Sequence, residues 1–507
     1  MSDIFKMYVD ASAAVIKGAA KAGMKAGNAL GHAASNAASD YCAARGARRG
    51  ILAPGDPPPP PSAGDSYYDF RGVLSLRKVP PEYQTAEFPL GRYIDPAKGP
   101  GRPIGLPANV LETHAAVVAP SGSGKTTSII VPWIVAGLRA GWSVVAIDAK
   151  GDLANVVEQT VRASGRPIGV PVRTLDYTNP GISAKWNWCA ELDSDEAISS
   201  AVDAIAGKEC PEHTAKTFWL RDKRILRGLF EMVMASPRRD QVTAELLLKI
   251  LQDQDKLAKN LQRYPSSPAN GSLRSFLQMY PDKYAEEIAD IENKLDVLKT
   301  PKLKAVTSQA GMRAGDVLRT PTFVSVVAPL HHGDMASMLS GLFINQLLFR
   351  AYARYTSPGG VPLLLVLDEA AELKNQVDFK SLLSVARAAK VAALIAVQDV
   401  TQFDDKSRSI VFGNCGTLIY LPGTTHDSAK YLSDQLGQHP VQTVSTAVGP
   451  AANGWGNQRT HSRQTTMVPV LGEREIHDLP FGRFAAVVRS RPMADRPFLV
   501  DLTLPQP

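Results

Sequence analysis

Ala115-Ala-Val-Val-Ala-Pro-Ser-Gly-Ser-Gly-Lys-Thr-Thr127 joins a short apolar run to a Gly/Ser turn, then to a lysine and two threonines. Ala115–Ala119 has the length and oiliness of a strand buried on both faces, and the stretch Thr126–Leu138 that follows reads as an amphipathic helix. A phosphate-cradling loop needs this strand–turn–helix context, and the turn fits that pattern in all but its first position, where Ala119 replaces Gly. Gly122 and Gly124 lack a Cβ, so backbone N–H groups can turn inward around phosphate oxygens. The helix beginning near Lys125 adds its positive end. The predicted nucleotide contacts are Pro120, Ser121, Gly122, Ser123, Gly124, Lys125, Thr126 and Thr127. Lys125 reaches the β- and γ-phosphates, and the Thr126 hydroxyl completes a Mg²⁺ shell, so ATP and Mg²⁺ are the expected ligands. Ala119 fits if its φ is negative.

Leu363-Leu-Leu-Val-Leu-Asp368-Glu369 supplies the second half of the site. Five apolar residues bury a strand, and two carboxylates emerge at its end. Asp368 is the predicted Mg²⁺ ligand, acting through water, and Glu369 the general base for the attacking water. Gln398 ends the next buried run, Val391–Val397, where it either senses the γ-phosphate or is a plain strand end. Arg387 precedes that run on a predicted helix, Phe379–Lys390. It reads either as a solvated face or as an arginine finger reaching a neighbouring subunit. Asp148-Ala-Lys150-Gly151-Asp152 follows the buried run Ser143–Ile147. It either joins the Mg²⁺ network or caps the next helix.

Strand, helix and strand recur from His114 onward, with further buried runs at Val172–Leu175, Thr322–Val327 and Leu418–Leu421 and a helix at Met335–Tyr355. This rhythm predicts an α/β fold with a mostly parallel central sheet. Residues 190–315 break the rhythm. Phe218, Trp219, Ile225, Leu226, Leu229, Phe230 and Val233 recur at helical spacing, which predicts an all-helical insertion. Residues 1–56 read as an Ala-rich helical arm and 57–66 as a stiff linker around Pro57–Pro61. Residues 67–189 and 316–507 form the two parts of the nucleotide-binding domain. Residues 67–110 are expected to be an irregular or β-rich lead-in, 443–466 a mobile polar loop, and Arg483–Val488 the last strand.

Composition bounds the rest. The 507 residues are 44% hydrophobic and 21% charged, ordinary for a globular protein of two or three domains. A net charge of +7 is mild for this length; it permits an anionic polymer or a lipid headgroup surface and demands neither. Four scattered cysteines, none in a CxxC pair, predict no disulfide and no structural zinc. No run reaches the roughly 18 apolar residues that cross a bilayer. Asp3, Lys6 and Asp10 interrupt any signal-peptide core.

With these motifs in hand, the chain resembles the coupling-protein ATPases of type IV secretion and conjugation, the TraG/TraD type, over residues 90–500. The carriers are the stretch from Val118 to Thr127, Ser143–Asp152, Trp186-Asn187, Phe218-Trp219, Leu367-Asp-Glu, Ala386-Arg387, Ala396-Val-Gln398-Asp399, and Leu471–Leu479 followed by Arg489–Pro492. The resemblance implies a RecA-like P-loop NTPase with an inserted all-α domain, assembled as a homohexameric ring. It implies that Arg387 is a finger acting in trans and that Gln398 senses the γ-phosphate. It further implies DNA, a relaxase or a secreted protein cargo, and inner-membrane secretion-channel proteins as partners. Family members usually carry N-terminal transmembrane helices, and this sequence shows none. The expected location is therefore cytoplasmic, peripheral at the bacterial inner membrane through a partner. A cargo-recruitment module with ATP-controlled assembly, or a DNA segregation or packaging motor, stays open as an alternative.

Overall fold

The structure is a computed structural model that describes residues 81–502, apart from 85, 96–98, 209, 212–214, 310, 330–332, 451–456, 478–484 and 491–496. The expected N-terminal arm and the Pro57–Pro61 linker lie outside the described residues.

An 11-stranded sheet organises the chain. Its parallel part runs β9 (Thr417–Tyr420), β3 (Ala115–Val118), β8 (Val391–Val397), β7 (Leu363–Leu367), β4 (Ser143–Asp148), β6 (Phe323–Val327), β5 (Val172–Asp176). These strands are continuous apolar runs because both their faces are covered. Successive residues enter different cores. Val117, Val144 and Leu364 pack with the helix that follows the Gly/Ser turn, whereas Val118, Val145 and Leu363 pack against the helical insertion.

Four antiparallel strands extend the sheet beyond β9, in the order β12 (Ala485–Ser490), β13 (Phe498–Asp501), β1 (Phe88–Asp95), β2 (Gly99–Leu106). The expected lead-in is thus part of the central sheet, zipped to the far end of the described chain by Arg92↔Asp501 and Tyr93↔Val500. The last strand is Phe498–Asp501, later than the expected Arg483–Val488, whose described residues 485–488 lie in the preceding strand. At Gly91, φ is +109° and an added Cβ would lie 2.1 Å from the Asp501 carbonyl oxygen, so only glycine lets the two strands approach there.

Between β5 and β6 the chain is helical, with main helices at Asp195–Ala206, Ala215–Ala235, Ala244–Leu251, Gln254–Arg263 and Pro281–Asp296. Their starts are written in the sequence. Ser194, Thr243 and Asp253 each accept a backbone N–H from the first turn. The insertion shares one continuous core with the sheet: Trp186 meets Phe343 edge-on at 5.1 Å, and Trp188 meets Phe230 at 5.5 Å.

Two expectations need correcting. The helix after the Gly/Ser turn opens with a wide turn over Thr126–Ile130 and continues as Val131–Arg139. It is buried nearly all round rather than amphipathic, because β1 and β4 flank it: the Trp133 indole donates to the Pro89 carbonyl at 2.7 Å. The polar stretch expected as a mobile loop is a long antiparallel ribbon, β10 (Gln438–Pro450) paired with β11 (Asn457–Pro469) through thirteen registered pairs. Its residues 462–467 are exposed, and there the sequence carries no strand-like alternation. Among the described residues, no helix is long and apolar enough to cross a membrane.

Candidate functional site

Three adjacent strands, β3, β8 and β7, end at the same carboxyl edge, where ligands bind in parallel α/β sheets. Each delivers one part of the expected site. From β3 comes the turn 119–125. Gly122 and Gly124 have φ of +74° and +89°, the left-handed region the loop chemistry requires. Ala119 keeps a negative φ, because the positive-φ non-glycines among the described residues are His114, Glu369 and Lys390. Its Cβ therefore costs nothing at the first motif position. The Ser123 hydroxyl is buried without a hydrogen-bond partner, a polar atom aimed into a cradle that an anion would satisfy. Thr126, half-buried, and Thr127, exposed, open the helix behind this turn.

From β7 come Asp368 and Glu369, both mostly buried. Glu369 sits at φ 60°, ψ 52°. A non-glycine in that conformation is strained by about 1–2 kcal/mol, and such strain persists where the surroundings fix it. The effect is to aim the Glu369 carboxylate toward the Gly/Ser turn. The Lys125 ammonium lies 2.9 Å from Asp368 Oδ1 and 3.1 Å from Glu369 Oε1. One buried cation facing two carboxylates leaves an excess negative charge. A divalent ion fits this donor set, and an incoming phosphate offers the lysine an alternative partner.

From β8 comes Gln398, whose amide donates to Glu369 Oε1 at 3.1 Å. Glu369 Oε1 thus accepts from both Lys125 and Gln398. A cavity of ≈ 20 Å³ borders Asp368, Glu369 and Glu372, enough for one water molecule.

The sequence reading missed Gln402. Its side-chain oxygen accepts the backbone N–H groups of Gln398 and Asp399, at 3.0 and 3.2 Å, and so holds the end of β8 in place. The signal was present: Asp399-Val-Thr-Gln402 has capping-box spacing. Asp148 resolves to the capping alternative. Its Oδ1 accepts from the N–H groups of Lys150 and Gly151, and its Oδ2 from that of Leu153. Burial nevertheless pushes its carboxyl above the usual range, against those three bonds. Lys150 instead lines a cleft of ≈ 550 Å³ with Asp176, Thr178 and Pro329.

Arg387 is not brought to this cluster. It lies on the short turn Ala386–Ala389 that enters β8, exposed, at the opposite edge of the sheet. The seven residues of β8 separate it from the Gln398 end by roughly 20 Å. Its electrostatic neighbour is His114, at the start of β3. The His114 Nδ1 accepts the Ala393 N–H at 3.1 Å. Burial first, then the Arg387 charge, depresses the imidazole to about 4, so His114 is neutral at physiological pH.

The sequence profile of the family described as "Type IV secretory system Conjugative DNA transfer" matches residues 96–489. A probable conjugal transfer protein TraG of Sinorhizobium fredii is 22% identical over 388 residues, covering 72% of this chain and 58% of that protein. Protein VirD4 of Rhizobium radiobacter is 20% identical over 369 residues, covering 68% of this chain and 51% of that protein. The chain thus spans somewhat more than half the length of the curated relatives it matches. Among solved structures, the unbound conjugative coupling protein TrwBdeltaN70 superposes with a TM-score of 0.59 at 17% identity, over 79% of this chain and 88% of that one. The TrwB complex with the ATP analogue ADPNP gives the same TM-score and identity over the same coverage, and the complex with ADP and Mg²⁺ gives 0.57 at 15%. The fold is therefore that of a RecA-like P-loop NTPase, and the chain belongs to the type IV secretory system conjugative DNA transfer family.

Proposed function

We propose that this chain is an ATP-hydrolysing coupling protein, a motor that receives DNA, a DNA–relaxase complex or a protein cargo and drives it into a type IV secretion channel. The observation that carries the reading is the Lys125–Asp368–Glu369–Gln398 cluster at the ends of three adjacent strands. An ATP motor needs such a cluster, and its fold neighbours include complexes with an ATP analogue and with ADP and Mg²⁺.

Lys125 exchanges its carboxylate partners for the β- and γ-phosphates of ATP, which frees Glu369 to accept a proton from the attacking water. Thr126 and Asp368 hold Mg²⁺, which when bound neutralises charge on the phosphate oxygens. Gln398, bonded to Glu369, reports the presence of the γ-phosphate. Arg387, on the far edge of its own sheet, completes the site of a neighbouring subunit in a homohexameric ring. Attachment to the inner membrane comes through a secretion-channel partner.

ATP turnover measured with and without single- and double-stranded DNA, beside the mass in ATP, tests this reading. DNA-stimulated turnover by an oligomer supports it; turnover by a monomer indifferent to DNA overturns it. Arg387→Ala is expected to lower turnover by about 10³-fold or more. Mixed with the Glu369→Gln variant, it is expected to regain turnover, because each variant supplies the part that the other lacks. No recovery on mixing would exclude action in trans.

A further inference from the structure

The turn that carries Arg387 is held from outside at both of its ends. Ala386–Ala389 joins helix Phe379–Val385 to β8 in one tight turn. Lys390 closes it at φ 57° and ψ 41°, a left-handed backbone that residues other than glycine rarely adopt. Arg387 is exposed, and its guanidinium makes no hydrogen bond or ion pair with the described residues.

Two side chains from one neighbouring segment bracket this turn. The chain leaves helix Gly333–Tyr352 through the turn Ala353–Tyr355. The Tyr355 hydroxyl donates to the Val385 carbonyl at 2.5 Å, on the entry side of the Arg387 turn. Arg354 Nη1 donates to the Ala389 carbonyl at 3.0 Å, on the exit side. Arg354 Nη2 donates to the carbonyls of Leu318 and Val361 at 2.7 and 2.8 Å. Arg354 is buried, and no carboxylate among the described residues pairs with it. A guanidinium buried without a counter-ion is unfavourable unless its donors are matched, and here a rigid fork matches three carbonyls in one geometry. The fold makes room for that fork. Gly360 has φ +75°, and an added Cβ there would lie 2.8 Å from Arg354 Nη2 and 2.2 Å from the Leu318 carbonyl oxygen. The Tyr355 ring stacks on that of Tyr352 at 5.7 Å, which sets the direction of its hydroxyl.

What this brace holds still is an exposed, unpaired arginine. Within one chain, orienting a solvated guanidinium stabilises next to nothing. At a reacting centre, a displacement of about 1 Å lowers the rate by on the order of 10²-fold. We propose that Arg354 and Tyr355 are positioning residues for Arg387, fixing its turn so that the guanidinium meets the γ-phosphate held by the neighbouring subunit. This rests on the coupling-protein reading, since it requires Arg387 to act in trans.

ATP turnover, binding of a fluorescent ATP analogue and a thermal melt, all on the full chain, test the proposal. Tyr355→Phe keeps the ring stack and deletes one hydrogen bond to the turn. Its turnover is expected to fall roughly 2–10-fold, with ATP affinity and melting temperature as in wild type. Arg354→Lys keeps the charge but cannot reach three carbonyls at once, and its turnover is expected to fall roughly 10²-fold. If Arg354→Lys also melts early, Tyr355→Phe decides alone. Mixed with Glu369→Gln, whose finger is intact, either variant should regain turnover, which a defect confined to its own site would not allow. If both variants turn over ATP at the wild-type rate while Arg387→Ala does not, the brace is idle and the proposal is overturned, although the finger survives. If they lose turnover and mixing restores Arg387→Ala but not them, their role lies inside their own subunit and the proposal is again overturned. If Arg387→Ala itself keeps wild-type turnover, the reading of Arg387 falls and this proposal with it.

Discussion

Glu369→Gln is expected to bind ATP as wild type does and to hydrolyse it about 10²–10⁴-fold more slowly. Glutamine keeps an oxygen where Glu369 Oε1 accepts from Lys125 and Gln398, so the cluster geometry should survive the change. What is lost is the ability to take a proton from water. The substitution also removes one of two carboxylates facing a single buried ammonium. The remaining Lys125–Asp368 pair is then balanced, and the folded state should be no less stable than wild type. Equilibrium binding of a fluorescent ATP analogue, single-turnover hydrolysis and a thermal melt read these three quantities separately. Hydrolysis at the wild-type rate would remove Glu369 from the base role.

Trp133→Ala is expected to cost about 3–5 kcal/mol of stability, among the larger effects available to one core substitution. The indole is fully buried, donates to the Pro89 carbonyl at 2.7 Å and meets the Phe88 ring edge-on at 6.1 Å. It fastens the antiparallel flank to the helix that continues out of the phosphate turn. Urea unfolding followed by circular dichroism should show the loss. A change below about 1 kcal/mol would mean that the site has collapsed around the missing ring, at odds with its close packing.

Much of the parallel sheet was legible because burial on both faces leaves little choice of residue. Val391–Val397 and Leu363–Leu367 contain nothing but Val, Ala, Leu and Ile. The phosphate turn was legible because glycine is placed where φ must be positive. The flank was legible only coarsely, as an irregular or β-rich lead-in and one late strand. Phe88–Asp95 and Gly99–Leu106 carry prolines and glycines that read as turns, and β2 tolerates them because it lies at the sheet edge. The ribbon read as a loop for a different reason: strand alternation is a record of burial, and residues 462–467 of this element are exposed. Within the site, residue types and strand ends were legible, but mutual contacts were not. No local pattern shows that Glu369 takes a left-handed backbone, or that Gln398 reaches it. Asp148 shows the opposite limit. A carboxylate at a strand end looks the same in sequence whether it serves a ligand or caps a turn, and the three N–H groups that claim it appear only in the fold.

The pairing of Arg92 with Asp501 has a consequence for how the chain is made. Synthesis at roughly 5–20 residues per second leaves β1 waiting some 20–80 s for its partner, which lies about 400 residues later. During that interval the β1–β2 hairpin has one strand edge unpaired, and a waiting edge is where chains of the same kind pair wrongly. Cotranslational folding can complete the parallel core, but the flank closes last. The yield of native protein should therefore depend on how well nascent chains are kept apart, by slow initiation or by a chaperone that covers the edge.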